Sequence, residues 1–335
     1  MNNCKITLKP LPKKTKYPGY SDAGVRDLFG SLKVSPKVTF DRKALESFPT
    51  SHKGKMSISG YQPKMSASVV DGSLVLGKEN GTYIIKPSPA QFPHLAENEH
   101  AIMTLARQCK FETPPFGLIV LDNDELAFVI KRYDRHDGAK FHQEQLDSAM
   151  GLNDKFGVED GKHVVSYARA GRFITANLKL VNQYADFYRR VIFSYVVGNN
   201  DHHLRNFSLL FKPDVDLPVL SPVYDVVSVE PYDAYSRAHY LALVLLIGEE
   251  DGYDEEMETG FDRKYGQYDR FDFIQFGMDI GLKSQAAIKL LDNLLLSIEK
   301  ALPSVHTSFI HDDHKQCVID VINHRVGILR DTNMS

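Results

Sequence analysis

The hydrophobic pattern of this chain changes near Tyr133, and the change limits the folds that the chain can adopt. Between Met56 and Tyr133, short β-branched or aromatic runs alternate with Asp-Gly, Asn-Gly and Asp-Asn-Asp-Glu turns, which is typical of antiparallel hairpins. One segment of this region, from His94 to Cys109, has the apolar spacing of a helix. After Tyr133 the apolar residues mainly follow helical spacing, as in QEQLDSAMG, YADFYRRVIFSYVVG, QAAIKLLDNLLLSIEKAL and QCVIDVINHRVGIL.

This order of patterns predicts an α+β fold. We expect a small N-terminal lobe over residues 1–134, built on an antiparallel sheet with one main helix, and a larger, mostly helical C-terminal lobe over residues 135–335. A bilobed kinase has this order, and so do other α+β folds. The basic stretch from Lys9 to Ser21 has no periodicity, and we expect it to be a solvated arm.

The composition limits the partners and the compartment. The chain has 40 lysines and arginines against 43 aspartates and glutamates, and its net charge of -3 gives no overall attraction to nucleic acid or anionic membranes. The three cysteines are far apart and form no CxxC motif, as in a reducing compartment. No stretch reaches the roughly 18 apolar residues of a membrane span. We therefore expect a cytoplasmic protein without a disulfide framework.

The polar segment GNNDHHLRNFSLL, at residues 198–210, carries the strongest chemical signal. It follows an amphipathic helix and precedes an apolar run, so it is predicted to form a tight loop. In kinase catalytic loops, an aspartate accepts the proton of the attacking hydroxyl and an asparagine five residues later holds magnesium, and Asp201 and Asn206 have this spacing. No His-Arg pair precedes Asp201, unlike in eukaryotic kinases. The spacing predicts Asp201 as the catalytic base and Asn206 as a magnesium ligand.

A second metal ligand is expected downstream of this loop, and Asp225 in the run SPVYDVVS is the candidate. An isolated aspartate between β-branched residues also fits a turn or a cap. Its combination with Asp201 and Asn206 favours the metal role.

His202 and His203 suggest a different chemistry. Together with Asp201 they would suit a metal-dependent hydrolase, but a zinc site needs three or four convergent ligands and no second histidine cluster lies nearby at helical spacing. We interpret His203 as a structural residue or as one that orients the catalytic set, and we keep the hydrolase as an alternative. A non-catalytic kinase fold that only binds partners is a further alternative.

Two parts of the N-terminal lobe suit the phosphates of ATP. Lys86 ends the run TYIIK, as the phosphate-pairing lysine of a kinase ends its strand, and Glu99 on the following helix is placed to pair with it. Lysines also end many exposed strands. Upstream, the small-residue loop GKMSISGYQPK allows backbone N–H groups to approach a phosphate, although it has no GxxxxGK[ST] motif. The residues of this loop assigned to ATP are Ser59, Gly60, Gln62 and Lys64.

The run VIKRYDR connects the two predicted lobes. We expect the run from Lys131 to Tyr133 to lie against adenine and Asp134 to lie near the ribose, and an edge strand explains the run equally well.

Six motifs resemble the HipA family of serine/threonine kinase toxins in their order and spacing. They extend from Ser57 to Ser228 and read SISGYQPK, TYIIKP, AENEH, VIKRYDR, GNNDHHLRNFS and YDVVS. The chain is short at its N-terminus relative to HipA, as if the first subdomain were missing. In this respect it is most similar to the HipT kinases of the three-component HipBST toxin-antitoxin systems. The resemblance implies a bilobed, protein-kinase-like fold.

The resemblance also implies a function and partners. It implies a toxin that uses Mg2+ and ATP to phosphorylate a serine of an aminoacyl-tRNA synthetase, for HipT the tryptophanyl enzyme, and so inhibits translation and growth. The implied partners are a helix-turn-helix antitoxin similar to HipB and a small HipS-like protein, with DNA contacted only through the antitoxin.

Matched residue by residue, the resemblance supports the roles given above and adds one. The supported residues are Asp201 as base, Asn206 and Asp225 on magnesium, and Lys64 and Lys86 on the phosphates. Ser57 and Ser59 are added as autophosphorylation sites. Lys131 stands where HipA has an acidic residue, and no metal is expected at Cys4.

Overall fold

The computed structural model describes most of the chain. The described residues are 3–41, 43–44, 62–77, 81–136, 139–159, 162–178, 180–213, 215–232, 240–249 and 259–333. The chain divides into two compact units. The first unit comprises Met1–Ala139, Pro222–Val227 and Ala301–Lys315, and the second comprises Lys140–Ser221, Ser228–Lys300 and Gln316–Ser335.

The described part contains α-helices, β-strands and two short 3-10 helices. The α-helices are α1 (Asp22–Phe29), α2 (Leu95–Gln108), α3 (Leu146–Ala149), α4 (Tyr167–Leu178), α5 (Val181–Val196), α6 (Arg270–Asp279), α7 (Ser284–Ala301), α8 (Pro303–His306) and α9 (Asp312–Arg330). The strands are β1 (Met65–Val70), β2 (Ser73–Leu76), β3 (Tyr83–Pro87), β4 (Phe116–Val120), β5 (Leu126–Lys131), β6 (Arg135–His136), β7 (Ala139–Lys140), β8 (His142–Gln145), β9 (Val158–Glu159), β10 (Lys162–His163), β11 (Ser208–Phe211) and β12 (Val219–Leu220). The 3-10 helices are Leu204–Asn206 and Ile247–Glu249.

A five-stranded antiparallel sheet, in the order β2-β1-β3-β5-β4, is the centre of the first unit. Its strands are the β-branched and aromatic runs that the turn-bounded pattern predicts, so this prediction is confirmed. In the central pair, Ile85 lies opposite Val129 and Lys86 lies opposite Phe128. The predicted helix is also present as α2, which packs on β3, β4 and β5.

The N-terminal basic stretch does not form the solvated arm that we expected. Tyr20 is buried, Leu11 and Tyr17 pack against the hydrophobic core of the first unit, and the hydroxyl of Tyr17 donates to the carbonyl of Leu32 at 3.3 Å. The stretch leads directly into α1, where the side chain of Ser21 caps the first turn by accepting from the N–H of Gly24. The apolar residues between the lysines therefore hold the stretch on the core.

The second unit combines helices with a small antiparallel sheet. Helices α4, α5 and α6 pack on one another, and two close approaches require glycine. A Cβ at Gly171 would lie 2.3 Å from Ile280, and one at Gly277 would lie 2.7 Å from Ala287. The buried side of α5 includes Phe187 and Val191, as its helical spacing predicts.

The small sheet of the second unit has the order β12-β11-β8. Residues His142–Gln145 form β8 and pair with β11, so the helix predicted from QEQLDSAMG is wrong for its first residues and is limited to α3. None of the helices in the described residues has the length and apolar character needed to cross a bilayer.

Candidate active site

The first unit contains a buried group of charged side chains around Lys86. Lys86 lies near the end of β3, and its ammonium nitrogen is 2.6 Å from Oε1 of Glu99 on α2 and 2.6 Å from Oδ1 of Asp225. Lys86 and Glu99 are buried. The aliphatic part of Lys86 ends beside the ring of Phe128, with the nitrogen 5.5 Å from the ring centroid. The predicted strand lysine, helix glutamate and downstream aspartate are thus brought together.

Asp225 completes this group and also binds Lys64. Its second carboxylate oxygen accepts from Nζ of Lys64 at 3.0 Å, and the Lys64 side chain remains 38% exposed. The backbone of Asp225 has φ 59°, a left-handed conformation that few non-glycine residues adopt. The neighbouring Val223 N–H donates to the carbonyl of Glu112 at 2.8 Å, which anchors the Asp225 segment within the first unit.

Burial and charge act against each other in this group. Burial alone would raise the pKa of Asp225, but Lys64 and Lys86 outweigh it and hold the pKa well below its usual range. Burial alone would lower the pKa of Lys86, but Asp225 and Glu99 outweigh it and hold the pKa above its ordinary value. Burial raises the pKa of Glu99 to about 7, with Lys86 opposing the rise and Asp225 adding to it. Lys86 and Asp225 are therefore both charged at neutral pH.

The residues predicted to contact adenine and ribose also lie in the first unit. Asp134 is buried, and both of its carboxylate oxygens accept from arginines: Arg132 at 2.8 and 2.9 Å, and Arg135 at 2.5 Å. A ribose hydroxyl would have to share or replace one of these donors. The ring of Tyr133 lies 5.4 Å from that of Tyr224, the residue before Asp225.

The remaining nucleotide candidates divide into described and undescribed residues. Gln62 is buried and donates to the carbonyl of Pro87 at 3.3 Å, next to Lys86 in sequence. Lys131 is the half-buried last residue of β5. Ser57, Ser59 and Gly60 lie outside the described residues.

In the second unit, the predicted catalytic loop joins α5 to β11. It starts at Gly198, whose φ of 74° is left-handed, and it passes through the 3-10 helix Leu204–Asn206. The side chain of Asn199 accepts from the N–H of Asp201 at 3.2 Å, and the carbonyl of Asp201 accepts from the N–H of His203 at 2.9 Å. These short-range bonds give the loop one defined path.

The three predicted catalytic side chains of this loop are buried. Asp201, His203 and Asn206 are 5%, 4% and 2% exposed. Nε2 of His203 lies 4.0 Å from Oδ1 of Asp201, which is outside hydrogen-bond distance, and the His203 ring meets the edge of Phe156 with centroids 5.3 Å apart. The N–H of Asn206 donates to the carbonyl of His203 at 2.9 Å. The backbone of His203 is therefore hydrogen-bonded to the backbones of both Asp201 and Asn206.

His202 is part of the support of the loop. Its Nδ1 is 2.5 Å from the hydroxyl of Ser194 on α5, its ring lies 4.3 Å from that of Phe207, and its carbonyl accepts from the hydroxyl of Tyr167 at 2.6 Å. Within the described ranges, no group of three or more His, Cys, Asp or Glu side chains is arranged to hold a metal ion. His202 thus has the contacts of a structural residue.

The donor atoms of the two predicted magnesium ligands fit that ion. Asp225 offers carboxylate oxygens and Asn206 an amide oxygen, which are the hard ligands that Mg2+ prefers, and Mg2+ is commonly held by one or two protein groups together with nucleotide phosphates. Asp225 lies in the first unit and Asn206 in the second. Their convergence on one ion stays a prediction.

Two supporting features of the site were not predicted from the sequence. Asn199 holds the backbone of Asp201, and the Asn-Asn doublet before the aspartate is the local signal for such a loop. The ion pair between Lys64 and Asp225 joins residues 161 positions apart, and no local pattern indicates it.

A comparison with protein-family models matches residues 56–302 to the HipA-like C-terminal domain. This chain belongs to that family. The matched range includes every residue that we assign to the candidate active site.

Several proteins similar in sequence to this chain bear kinase names. A Haemophilus influenzae protein named "Putative kinase" is 38% identical, and the alignment covers 98% of each chain. Y4dM of Sinorhizobium fredii, also named a "Putative kinase", is 33% identical over 62% of this chain and 54% of its own length. The serine/threonine-protein kinase toxin HipA of Shewanella oneidensis is 24% identical over 57% of this chain and 47% of its own length. This chain therefore matches only about half of the two longer relatives.

The fold of this chain is also similar to that of a solved structure. It is similar to the structure of Shewanella oneidensis HipA in complex with HipB and operator DNA, with a TM-score of 0.63, 19% identity, and 85% of this chain and 68% of that chain covered. This similarity supports a HipA-like mixed α/β fold.

Proposed function

We propose that this chain is a Mg2+- and ATP-dependent serine/threonine protein kinase. The observation that carries the proposal is the placement of Lys86 at 2.6 Å from both Glu99 and Asp225 in a chain of the HipA-like family. In kinases, a strand lysine paired with a helix glutamate holds the ATP phosphates, and a downstream aspartate holds the metal. The kinase names of the relatives support the same activity.

In the proposed reaction, Lys86 binds the ATP phosphates with Glu99 as its counter-ion. Asn206 and Asp225 hold Mg2+, which when bound offsets the charge of the β and γ phosphates. Asp201 orients the target serine hydroxyl and accepts its proton as the serine oxygen forms a bond to the γ-phosphorus and the bond to the ADP oxygen breaks. His203, between Asp201 and Asn206 in the loop, keeps these two groups in place. In this proposal residues 1–134 and 135–335 are the N-terminal and C-terminal lobes of a kinase.

Lys64 takes part in the proposal as an exchangeable counter-ion. Its ammonium occupies one oxygen of Asp225 and its side chain is partly exposed. When the nucleotide binds, Lys64 moves from the carboxylate to a phosphate, so that Asp225 becomes accessible to the metal. Gln62 and the backbone near Ser59 and Gly60 complete the phosphate contacts, and Lys131, Tyr133 and Asp134 contact the nucleoside.

We further propose that Ser57 and Ser59 are autophosphorylated. A phosphate on either serine adds a charge of roughly -1.5 to -2 close to the position predicted for the ATP phosphates, and repulsion then inhibits the enzyme. Mass spectrometry after incubation with Mg-ATP tests this point, and an active preparation with both serines unmodified contradicts it.

For the biological role, we propose a cytoplasmic toxin of the HipT type. Its target is a serine of an aminoacyl-tRNA synthetase, the tryptophanyl enzyme in particular, and phosphorylation inhibits translation and growth. The proposed partners are a HipB-like antitoxin and a HipS-like protein, with DNA contacted through the antitoxin. The HipA counterpart in a complex with HipB and operator DNA supports the antitoxin partnership.

The proposal is tested by incubating the purified chain with γ-labelled ATP, Mg2+ and tryptophanyl-tRNA synthetase, with Asp201→Asn as the control. Label on a serine of the synthetase with the unmodified chain, and none with the variant, is expected. A metal-dependent hydrolase would instead show hydrolytic activity in the absence of nucleotide, and a zinc chelator would abolish that activity. A non-catalytic binding module would transfer no phosphate to any protein, including itself.

A further inference from the structure

We infer that Arg325 on α9 is a positioning residue for the catalytic loop, an inference that rests on the proposed kinase function. Arg325 is only 4% exposed, although its guanidinium is always charged. One of its nitrogens donates to the backbone carbonyl of Tyr195 at 2.5 Å, and the other donates to Oε1 of Glu230 at 2.5 Å. The Arg325 side chain thus binds Tyr195, just before the catalytic loop, and Glu230, which follows the loop in the sequence.

The contact with Tyr195 acts on the start of the loop. The carbonyl of Tyr195, in the last turn of α5, also accepts from the N–H of Gly198 at 3.2 Å. Next to this bond, the N–H of Asn199 donates to the carbonyl of Ser194 at 2.8 Å, and the Asn199 side chain holds the N–H of Asp201. A shift of the Tyr195 carbonyl would therefore be passed through two residues to the backbone of Asp201.

The contact with Glu230 acts on Gly198 from the other side. The N–H of Val229 donates to the carbonyl of Gly198 at 2.9 Å, and a Cβ on Gly198 would lie 2.4 Å from Cγ of Glu230. Gly198 is also left-handed, so it is enclosed between α5 and Glu230 in a conformation that suits glycine. Arg325 binds the neighbours of Gly198 on both sides, the Tyr195 carbonyl of α5 and the Glu230 side chain.

The surroundings of Arg325 hold the guanidinium itself in one position. Its central carbon lies 5.0 Å from the ring centroid of Tyr195 and 5.5 Å from that of Tyr240. Arginine suits this place because its planar group stacks on aromatic rings and donates in two directions at once. A lysine has its donors on one nitrogen and lacks this planar fork, whose two separate nitrogens reach the Tyr195 carbonyl and Glu230.

These contacts predict an effect on the chemical step more than on ATP binding. Arg325 and Glu230 are not among the residues assigned to the nucleotide, but they set the backbone path that leads to Asp201. A displacement of a reacting group by about 1 Å costs on the order of 10²-fold in rate. We therefore expect Arg325→Lys to lower kcat by about 10²-fold and Glu230→Gln by about tenfold, with the KM for ATP changed by less than about threefold.

The same helix offers a matched control. Arg330 also belongs to α9 and forms an ion pair with Glu299 at 2.9 and 2.5 Å, but its side chain is 43% exposed and contacts no part of the loop in the described residues. Arg330→Gln removes an arginine pair from α9 without touching the Tyr195 carbonyl. It should leave kcat and KM unchanged.

The experiment combines steady-state kinetics with hydrogen exchange of the loop. Arg325→Lys, Glu230→Gln and Arg330→Gln are compared with the unmodified full chain, each checked for a cooperative thermal transition. We expect faster amide exchange in residues 198–206 together with lower kcat for the first two variants, and neither change for Arg330→Gln. If Arg325→Lys does not fold, Glu230→Gln, which keeps the shape of the side chain, decides alone.

Failure of this inference differs from failure of the proposed function. If the unmodified chain transfers no phosphate, the kinase proposal fails, and the exchange of residues 198–206 still tests whether Arg325 orders the loop. If the unmodified chain is active and a folded Arg325→Lys or Glu230→Gln variant matches Arg330→Gln in kcat, Arg325 is not a positioning residue. Faster exchange of the loop with an unchanged kcat would likewise exclude a positioning role for Arg325.

Discussion

The ammonium group of Lys64 lies 3.0 Å from a carboxylate oxygen of Asp225, although the two residues are 161 positions apart in the chain. The other oxygen of Asp225 binds Lys86 at 2.6 Å. Both oxygens of the proposed metal ligand are thus bound to lysines. Any cation that Asp225 accepts has to compete with at least one ammonium group, and the exposed Lys64 is the one that can leave.

Replacement of Lys64 should therefore weaken nucleotide binding. Lys64→Met is expected to raise the Kd for Mg-ATP by about tenfold, because a charge-assisted hydrogen bond to phosphate contributes roughly 1.5–3 kcal/mol before competing losses. Isothermal titration calorimetry measures this Kd. Lys37→Met is a suitable control, since Lys37 forms an exposed ion pair with Asp124. Equal affinities of the two variants would rule out a role of Lys64 at the phosphates.

Lys86 should affect stability as well as activity. Lys86→Met leaves Glu99 buried beside Asp225 without a shared counter-ion, and we expect it to reduce the free energy of unfolding by about 3–5 kcal/mol. Adding Glu99→Gln to this variant should restore part of the loss, because a neutral amide needs no counter-ion. Urea denaturation of the single and double variants measures the coupling. Additive losses would mean that Lys86 and Glu99 do not interact as the structure indicates.

His100 on α2 provides a pH dependence that is separate from catalysis. It is fully buried, one ring nitrogen lies 3.1 Å from the carbonyl of Ile6, and burial lowers its pKa from 6.5 to about 4. Below pH 6.5 the unfolded chain binds a proton that the folded chain does not, so the stability contributed by neutral His100 is present at neutral pH and is lost as the pH falls toward 4.

This pH dependence can be measured by comparison with a variant that has no titratable side chain at position 100. Between about pH 7.5 and about pH 5, His100 should account for a loss of roughly 2 kcal/mol in the free energy of unfolding. His100→Gln keeps a donor for the Ile6 carbonyl. Urea denaturation of this variant should show a loss in the free energy of unfolding that is smaller by these roughly 2 kcal/mol. If the free energy of unfolding falls equally with pH in the two proteins, folded His100 takes up a proton as readily as it does in the unfolded chain, and the prediction is wrong.

The sequence predicts the parts of this fold that local pattern determines. β3 and β5 are correct because they contain β-branched and aromatic residues and are bounded by turns, and α2 is correct because its apolar residues follow helical spacing. Long-range packing decides the parts that were missed. Residues His142–Gln145 are a strand because they pair with β11, and Tyr20 is buried because a core formed by distant residues receives it.

The candidate site shows the same division. The spacing of Asp201 and Asn206 is local and can be read from one loop, and the relation of Lys86 to Glu99 follows from a strand followed by a helix. The link between Arg325 and Tyr195 joins residues 130 positions apart. An arginine within a helix has no sequence feature that indicates such a partner, so this contact with the catalytic loop is evident only from the three-dimensional structure.

The central claim is that Asp201 serves the transfer of a phosphate from ATP. Single-turnover transfer from γ-labelled ATP to tryptophanyl-tRNA synthetase, measured for the unmodified chain and Asp201→Asn together with the Kd for Mg-ATP, tests it most directly. We expect the variant to transfer phosphate about 10²- to 10⁴-fold more slowly, because it lacks the base, with Kd changed by less than about threefold. Transfer at the unmodified rate, or a loss of rate that is matched by an equal loss of ATP affinity, would contradict the assignment of Asp201.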